Sequence, residues 1–355
     1  MKIPASELWA HRGRVLLDVR TPAEFARGHI PGALNLPLFS DDERAEVGTL
    51  YKQTSPEAAL LRGLELVGPK MRALVEQARR LAPQGNVLLH CWRGGKRSES
   101  MAWLLRLAGF DALTLEGGYK AYRRHVLESF ERRRLKIIVL GGKTGCTKTA
   151  LLHRLRQLGE QVLDLEGLAH HKGSAFGALG QPAQPMPEQF ENDLFEEFRR
   201  LDPTRPVWVE NENRAIGRVF IPEAFWRQMK AAPLINIALP LERRIQNILA
   251  DYGAFPREEL AEAFRKIHKR LGGQNLLAAL QALEAGDLRR AVEIALTYYD
   301  KAYQHYLDKN QAPHILRLEF QDEPLDAIAE ALRCCARENA GVFFPEPLES
   351  QTLPR

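Results

Sequence analysis

Apolar residues along this chain gather into short uninterrupted blocks, separated by longer stretches with helical spacing. The blocks are RVLLDV (14–19), NVLLH (86–90), ALTL (112–115), KIIVLGG (136–142), QVLDL (161–165), RPVWVE (205–210), PLINIAL (233–239) and HILRLEF (314–320). Runs of this length, rich in Val, Ile and Leu, predict strands buried on both faces. Helical spacing fills 56–80, about 97–107, the stretch from Lys148 and 325–337. TPAEFARG predicts a helix start, with Thr21 as N-cap, Pro22 in the first turn and Glu24 three residues after the cap. GHIPGALNLPL (28–38) predicts a turn into a further strand. Strands alternating with helices predict an α/β fold built on parallel sheets. Residues 241–310 contain no strand block and predict a helical subdomain.

The length of 355 residues predicts two domains at about 150 residues each. The charged stretch RRHVLESFERRRLK (123–136) places their boundary near residue 130, giving domains 1–130 and 131–355. Hydrophobic residues at 45% and charged residues at 27% exclude a mostly disordered chain. No apolar run reaches the length of a membrane span, and MKIPASELWAHRGR lacks the apolar core of a signal peptide. Four cysteines make no disulfide scaffold, which points to a reducing, cytoplasmic setting. Fifty basic against 45 acidic residues give a net charge of +5, compatible with a polyanionic partner.

The strongest chemistry is His90-Cys91-Trp92-Arg93-Gly94-Gly95-Lys96-Arg97-Ser98. Cys91 follows a predicted strand and precedes a predicted helix. Backbone N–H groups and the positive end of the helix dipole converge at such a place. Arg93, Lys96 and Arg97 add positive charge, a setting that lowers a thiol's pKa and holds an oxyanion beside the thiolate. Cys334 and Cys335 sit on a predicted helix with no oxyanion context.

A second loop, Gly142-Lys143-Thr144-Gly145-Cys146-Thr147-Lys148-Thr149, follows KIIVLGG and resembles Walker A, Gly-x4-Gly-Lys-Ser/Thr. In that motif backbone amides ring a phosphate, the lysine reaches its oxygens and the hydroxyl helps to hold a metal ion. Thr147 stands where the second glycine belongs, and its Cβ would crowd the loop. After RPVWVE, Glu210 and Glu212 share a side if the strand continues, either as a base or metal-orienting pair or as exposed strand-end charges. Asp164, Glu166, His170, His171 and Lys172 cluster in sequence, but adjacent histidines without a cysteine partner do not make a zinc site.

LLDVRTPAEFARGHIPGALNLP (16–37) resembles the opening of a rhodanese domain. LEGGYKAY (115–122) resembles its closing segment, with Tyr122 where tryptophan is usual. Asp18 and Arg20 match the rhodanese Asp-Val-Arg motif, here expected to brace the loop. HCWRGGKRS also fits the protein tyrosine phosphatase pattern His-Cys-x2-Gly-x2-Arg-Ser, and its Cys-x5-Arg loop is one residue longer than the usual sulfurtransferase loop. A rhodanese-like domain followed by a P-loop resembles the bacterial tRNA 2-selenouridine synthase family. The likeness extends to DDERAEVGTLYKQTSPEAAL (41–60), LDLEGLAHHKGSAFG (163–177), VWVENEN with RAIG (207–217) and GDLRRAVEIALTYYDKAYQHY (286–306), departing at Thr147 and Asn213.

That resemblance implies a transferase acting on wobble 2-thiouridine of tRNA. Geranyl diphosphate alkylates the sulfur first, and selenophosphate then supplies selenium as geranylthiol leaves. Cys91 would handle selenium, with Trp92, Arg93, Gly94, Gly95, Lys96 and Arg97 forming the anion loop. Gly142 to Thr149 would take the diphosphate, with Mg2+ as a companion and no tightly bound cofactor. Arg123, Arg124 and Arg132–Arg134 offer charge for tRNA phosphates or make solvated helix faces. A Cys-dependent phosphatase or sulfurtransferase fused to a nucleotide-binding module is the alternative.

Overall fold

Each of the apolar blocks forms a strand, and the strands assemble into two five-stranded parallel sheets. The computed structural model describes residues 1–310 and 312–345. It divides into two compact units, Met1–Arg132 with Glu188–Glu196, and Arg133–Pro187 with Glu197 onward. The domain end expected at residue 355 lies outside the described residues.

In the first unit, strands β1 (Lys2–Ile3), β2 (Val15–Asp18), β3 (Leu34–Asn35), β4 (Asn86–His90) and β5 (Asp111–Leu115) lie in the order β1-β5-β4-β2-β3. All pairs are parallel. Val87, Leu88 and Leu89 of β4 are buried, as a central strand covered on both faces requires. Leu17, Val87, Leu89, Met101 and Leu105 share one core.

Thr21 caps the Pro22–Arg27 helix through a reciprocal capping box with Glu24. The helical stretch expected over 56–80 divides into Pro56–Val67 and Met71–Leu81, around Gly68–Lys70. Pro69 explains the break, because it has no N–H to give and crowds the preceding turn. The charged stretch after residue 118 continues as the helix Gly118–Arg132, which buries Tyr119, Tyr122, Val126 and Phe130 along one face. Residues 188–196 of the Pro187–Phe198 helix complete this core. Phe195 sets its ring against Trp9, Tyr122, His125 and Phe130, with centroids 5.4–6.3 Å away.

In the second unit, β6 (Lys136–Gly142), β7 (Gln161–Leu163), β8 (Pro206–Glu210), β11 (Leu234–Ala238) and β12 (Ile315–Glu319) lie in the order β12-β11-β6-β8-β7. A separate antiparallel pair, β9 (Ala215–Ile216) and β10 (Val219–Phe220), turns at Gly217. Strand β7 is shorter than its apolar block because Asp164 leaves the sheet to cap the Leu165–Ala169 helix, accepting from the Gly167 amide at 2.8 Å. Between β11 and β12 the regular elements among the described residues are helices, from Leu241–Tyr252 to Leu288–Asp308. Leu260, Phe264, Leu271, Leu283 and Ile294 give this segment its own core. No helix among the described residues is long and apolar enough to cross a membrane.

Candidate functional site

Cys91 stands just beyond the carboxyl end of β4, the central strand of the first sheet, where open parallel sheets present ligands to their loops. The loop then enters the Lys96–Leu107 helix, whose N-cap position, Gly95, makes no side-chain cap. The first-turn amides have no intrahelical acceptor, the arrangement by which helix starts can bind anions. Two of the loop's carbonyls are tied to the next helix. Those of Cys91 and Trp92 accept from the Tyr119 and Lys120 amides, both at 2.9 Å. Gly94 and Gly118 interlock beneath them, with φ of 65° and 58°. A Cβ on Gly118 would lie 2.3 Å from the Cys91 oxygen, and one on Gly94 would lie 2.6 Å from the Leu115 oxygen. Glycine is required at both for this close approach.

The Cys91 thiol is buried, with the Ser98 hydroxyl 3.3 Å from its sulfur and 3.1 Å from the Gly95 carbonyl. A rotation of that hydroxyl lets it donate a hydrogen bond to the sulfur when the latter is a thiolate. Trp92, Arg93 and Lys96 are exposed. Arg97 instead donates to Glu24 at 2.6 and 3.2 Å, tying the helix start to the Thr21 capping box. Asp18 and Arg20 form a buried ion pair at 2.6 Å, and Arg20 also donates to the Gly28 carbonyl at 2.7 Å and stacks 3.8 Å over Tyr119. Arg20 is thereby linked to the loop through Tyr119, whose amide bonds the Cys91 carbonyl. His90 is fully buried with its Nε2 3.7 Å from the Asp18 carboxylate, and burial pushes it toward the neutral form.

The second loop leaves β6 and enters the Lys148–Gln157 helix. Thr147 adopts the left-handed conformation of the glycine it replaces, with φ 53° and ψ 34°. Lys148 donates to the Gly142 carbonyl at 3.0 Å, and Thr149 donates to Glu166 at 2.8 Å. Cys146 is buried and its thiol is pushed up by that burial, as befits a packing residue. The loop is held from outside by residues far along the chain. Arg244 donates to the Thr144 carbonyl at 2.8 Å and Asn247 to that of Gly145 at 2.9 Å. Tyr303 accepts from the Gly142 amide at 2.7 Å and donates to Asn236 at 2.6 Å. Asp300 pairs with Arg244 and lies 3.6 Å from the Lys143 ammonium. The apolar periodicity of 241–310 signals helices but not this scaffolding, which depends on long-range placement.

Carboxylates gather beside Thr149. Glu210 is buried, accepting from the Glu166 amide at 2.6 Å through one oxygen while the other has no partner. Burial, with the nearby Asp164 and Glu166 charges, raises its pKa. The strand ends at Glu210, so Glu212 lies beyond it, pushed up to about 8 by burial and by Glu166, with which it shares a hydrogen bond. His170 closes the Leu165–Ala169 helix and meets the Ala183 carbonyl at 2.9 Å. No group of three or more His, Cys, Asp or Glu among the described residues is placed to hold a metal ion. Of the basic pairs, Arg123 binds Glu191 and Asn192, and Arg133 binds the carbonyls of Phe198 and Arg199. Arg124, Arg132 and Arg134 stay exposed.

The family model for the tRNA 2-selenouridine synthase AAA domain matches residues 135–333, and that for the rhodanese-like domain matches residues 4–125. A tRNA 2-selenouridine synthase of Pseudomonas fluorescens is 37% identical over 87% of this chain and 92% of its own. That of Cronobacter sakazakii is 36% identical over 92% of this chain and 95% of its own. That of Nitrosomonas europaea is 40% identical over a shorter match, covering 67% of this chain and 63% of that protein.

Proposed function

The chain belongs to the tRNA 2-selenouridine synthase family, and on that premise we propose that it converts wobble 2-thiouridine of tRNA to 2-selenouridine in two transfers. One observation carries the reading: a single chain has a cysteine loop entering a helix and a second, Walker A-like loop with a lysine and a threonine, each at the carboxyl end of a strand in a parallel sheet.

In the first transfer the thiouridine sulfur attacks C1 of geranyl diphosphate. The C–S bond forms, the C–O bond breaks and diphosphate leaves. Lys148 and amides of the Gly142–Thr149 loop, that of Gly142 itself being taken by Tyr303, hold the growing negative charge where it develops. Thr149, whose hydroxyl donates to Glu166, and the unpartnered buried oxygen of Glu210 are the groups that would hold a Mg2+ ion accompanying the diphosphate. When bound, that ion would neutralise diphosphate charge.

Alkylation turns a poorly leaving thiocarbonyl sulfur into a thiolate leaving group. In the second transfer selenium from selenophosphate bonds to C2 of the base, the C2–S bond breaks and geranylthiol departs. Water then cleaves the P–Se bond and releases phosphate. The amides after Cys91, with Arg93 and Lys96, hold the phosphoryl group while Cys91 handles the selenium beside it. Arg97 supports the loop through Glu24. Exposed Arg124, Arg132 and Arg134 offer charge to tRNA phosphates.

The decisive experiment is mass spectrometry of tRNA nucleosides after incubation with geranyl diphosphate and selenophosphate. Both S-geranylated and selenated uridine are expected, and absence of both overturns the proposal. Release of phosphate from a generic aryl phosphate, lost in Cys91→Ser, would support the phosphatase alternative instead.

A further inference from the structure

Tyr119 does two things at once. Its amide holds the Cys91 carbonyl at 2.9 Å, so its backbone forms part of the floor of the cysteine loop. Its side chain is fixed on every side. Arg20 stacks 3.8 Å over the ring, the hydroxyl donates to Glu188 at 2.8 Å, and Asn192 donates to that hydroxyl at 2.8 Å. Asn192 is fully buried and uses its remaining capacity on the His29 carbonyl, at 2.8 Å, and on Arg123, at 2.6 Å. A Cβ on Gly28 would lie 2.9 Å from both the Tyr119 hydroxyl and the Glu188 carboxylate.

Apolar packing alone would be served by phenylalanine at this position. A buried polar network with its partners satisfied selects one geometry, and here that geometry is transmitted through one residue's backbone to the loop. We infer that Glu188 and Asn192 are positioning residues for the Cys91 loop, acting through Tyr119 to hold its carbonyls down and its amides toward the anion. They are encoded more than 90 positions after the cysteine they serve. The inference rests on the reading of Cys91 as the selenium-handling residue.

The test compares full-length Glu188→Ala, Glu188→Gln, Asn192→Ala and Tyr119→Phe with the parent protein. Alkylation of Cys91 by iodoacetamide, resolved peptide by peptide and followed against pH, reads the loop without any tRNA substrate. Nucleoside mass spectrometry reads selenation and geranylation separately. Glu188→Ala and Tyr119→Phe should shift the pH profile of Cys91 alkylation and lower selenation roughly fivefold to tenfold, the scale of one lost buried hydrogen bond. Geranylation should stay within about twofold, because the diphosphate loop is untouched. Glu188→Gln keeps an acceptor for the tyrosine and should restore parental behaviour.

An unchanged alkylation profile in both Glu188→Ala and Tyr119→Phe overturns the inference, as does a Glu188→Gln protein as impaired as Glu188→Ala. If Asn192→Ala fails to fold, the Glu188 and Tyr119 variants decide. A parent protein that makes no selenated uridine would refute the proposed function while the alkylation profiles still judge the positioning role.

Discussion

Thr147 illustrates how a single residue takes on a constraint normally met by glycine. A Cβ-bearing residue in the left-handed region costs about 1–2 kcal/mol, and Thr147 sits there at φ 53°. Thr147→Gly removes that strain while adding about 0.5–1 kcal/mol of unfolded-chain freedom. The melting temperature should hold or rise slightly, and inorganic diphosphate should bind more tightly by calorimetry. A loss of both would show that the threonine side chain supports the loop.

Glu212 gives a pH signature. Its carboxyl is held up to about 8 in the folded protein against an ordinary value of 4.5. Between those values the folded state keeps a proton that the unfolded state has lost. Stability therefore falls as pH rises from about 4.5 to 8. Thermal melts across pH 5–9 should show this decline, and Glu212→Gln should lessen it, with Glu210 acting in the same direction. Glu210 and Glu212 stood out in the sequence, as did Thr149. Their association with Glu166 did not, because it arises where two neighbouring strands end. Strand spacing placed Glu212 in line with Glu210, but the strand stops one residue after Val209, and no local pattern signals that stop.

Secondary-structure elements show the same division between local and distant causes. The Thr21 capping box was legible because cap, proline and glutamate lie within four residues, and it is present. Thr21→Ala should cost about 1 kcal/mol in urea unfolding. The Pro187–Phe198 helix was the element least legible from sequence. Its residues 188–196 belong with a sheet whose last strand ended at Leu115. Chain proximity offered no hint of that, since apolar spacing says which face is buried but not against what. Phe195 is 2% exposed among four rings. Phe195→Ala should cost about 3–5 kcal/mol. In calorimetry the loss should fall on the transition of the unit containing Met1–Arg132. A loss confined to the other unit would contradict its place in this core.

Across the whole molecule, the α/β class was legible because buried parallel strands leave continuous apolar blocks. The strand–loop–helix connections at Cys91 and at Lys148 were legible because each is contiguous in sequence. Their supports were not: Tyr303 reaches Gly142 across 161 positions, and Asn192 reaches Tyr119 across 73. Two loops in one chain predict two separable transfers. Cys91→Ser should abolish selenation while S-geranylated uridine still accumulates, and Lys148→Ala should damage geranylation first. Nucleoside mass spectrometry on the two variants checks this, and equal loss of both products in both variants would contradict it.

The discontinuous first unit also has a consequence in time. Its first segment ends at Arg132, and its last ends at Glu196. A ribosome must therefore add 196 − 132 = 64 further residues before that unit's chain is complete. At about 5–20 residues per second this takes roughly 3–13 s. During that interval the nascent sheet has its cysteine but not the helix that covers Tyr122 and Phe130. Slower translation through codons 133–196 would prolong the exposure of those aromatic faces to chaperones.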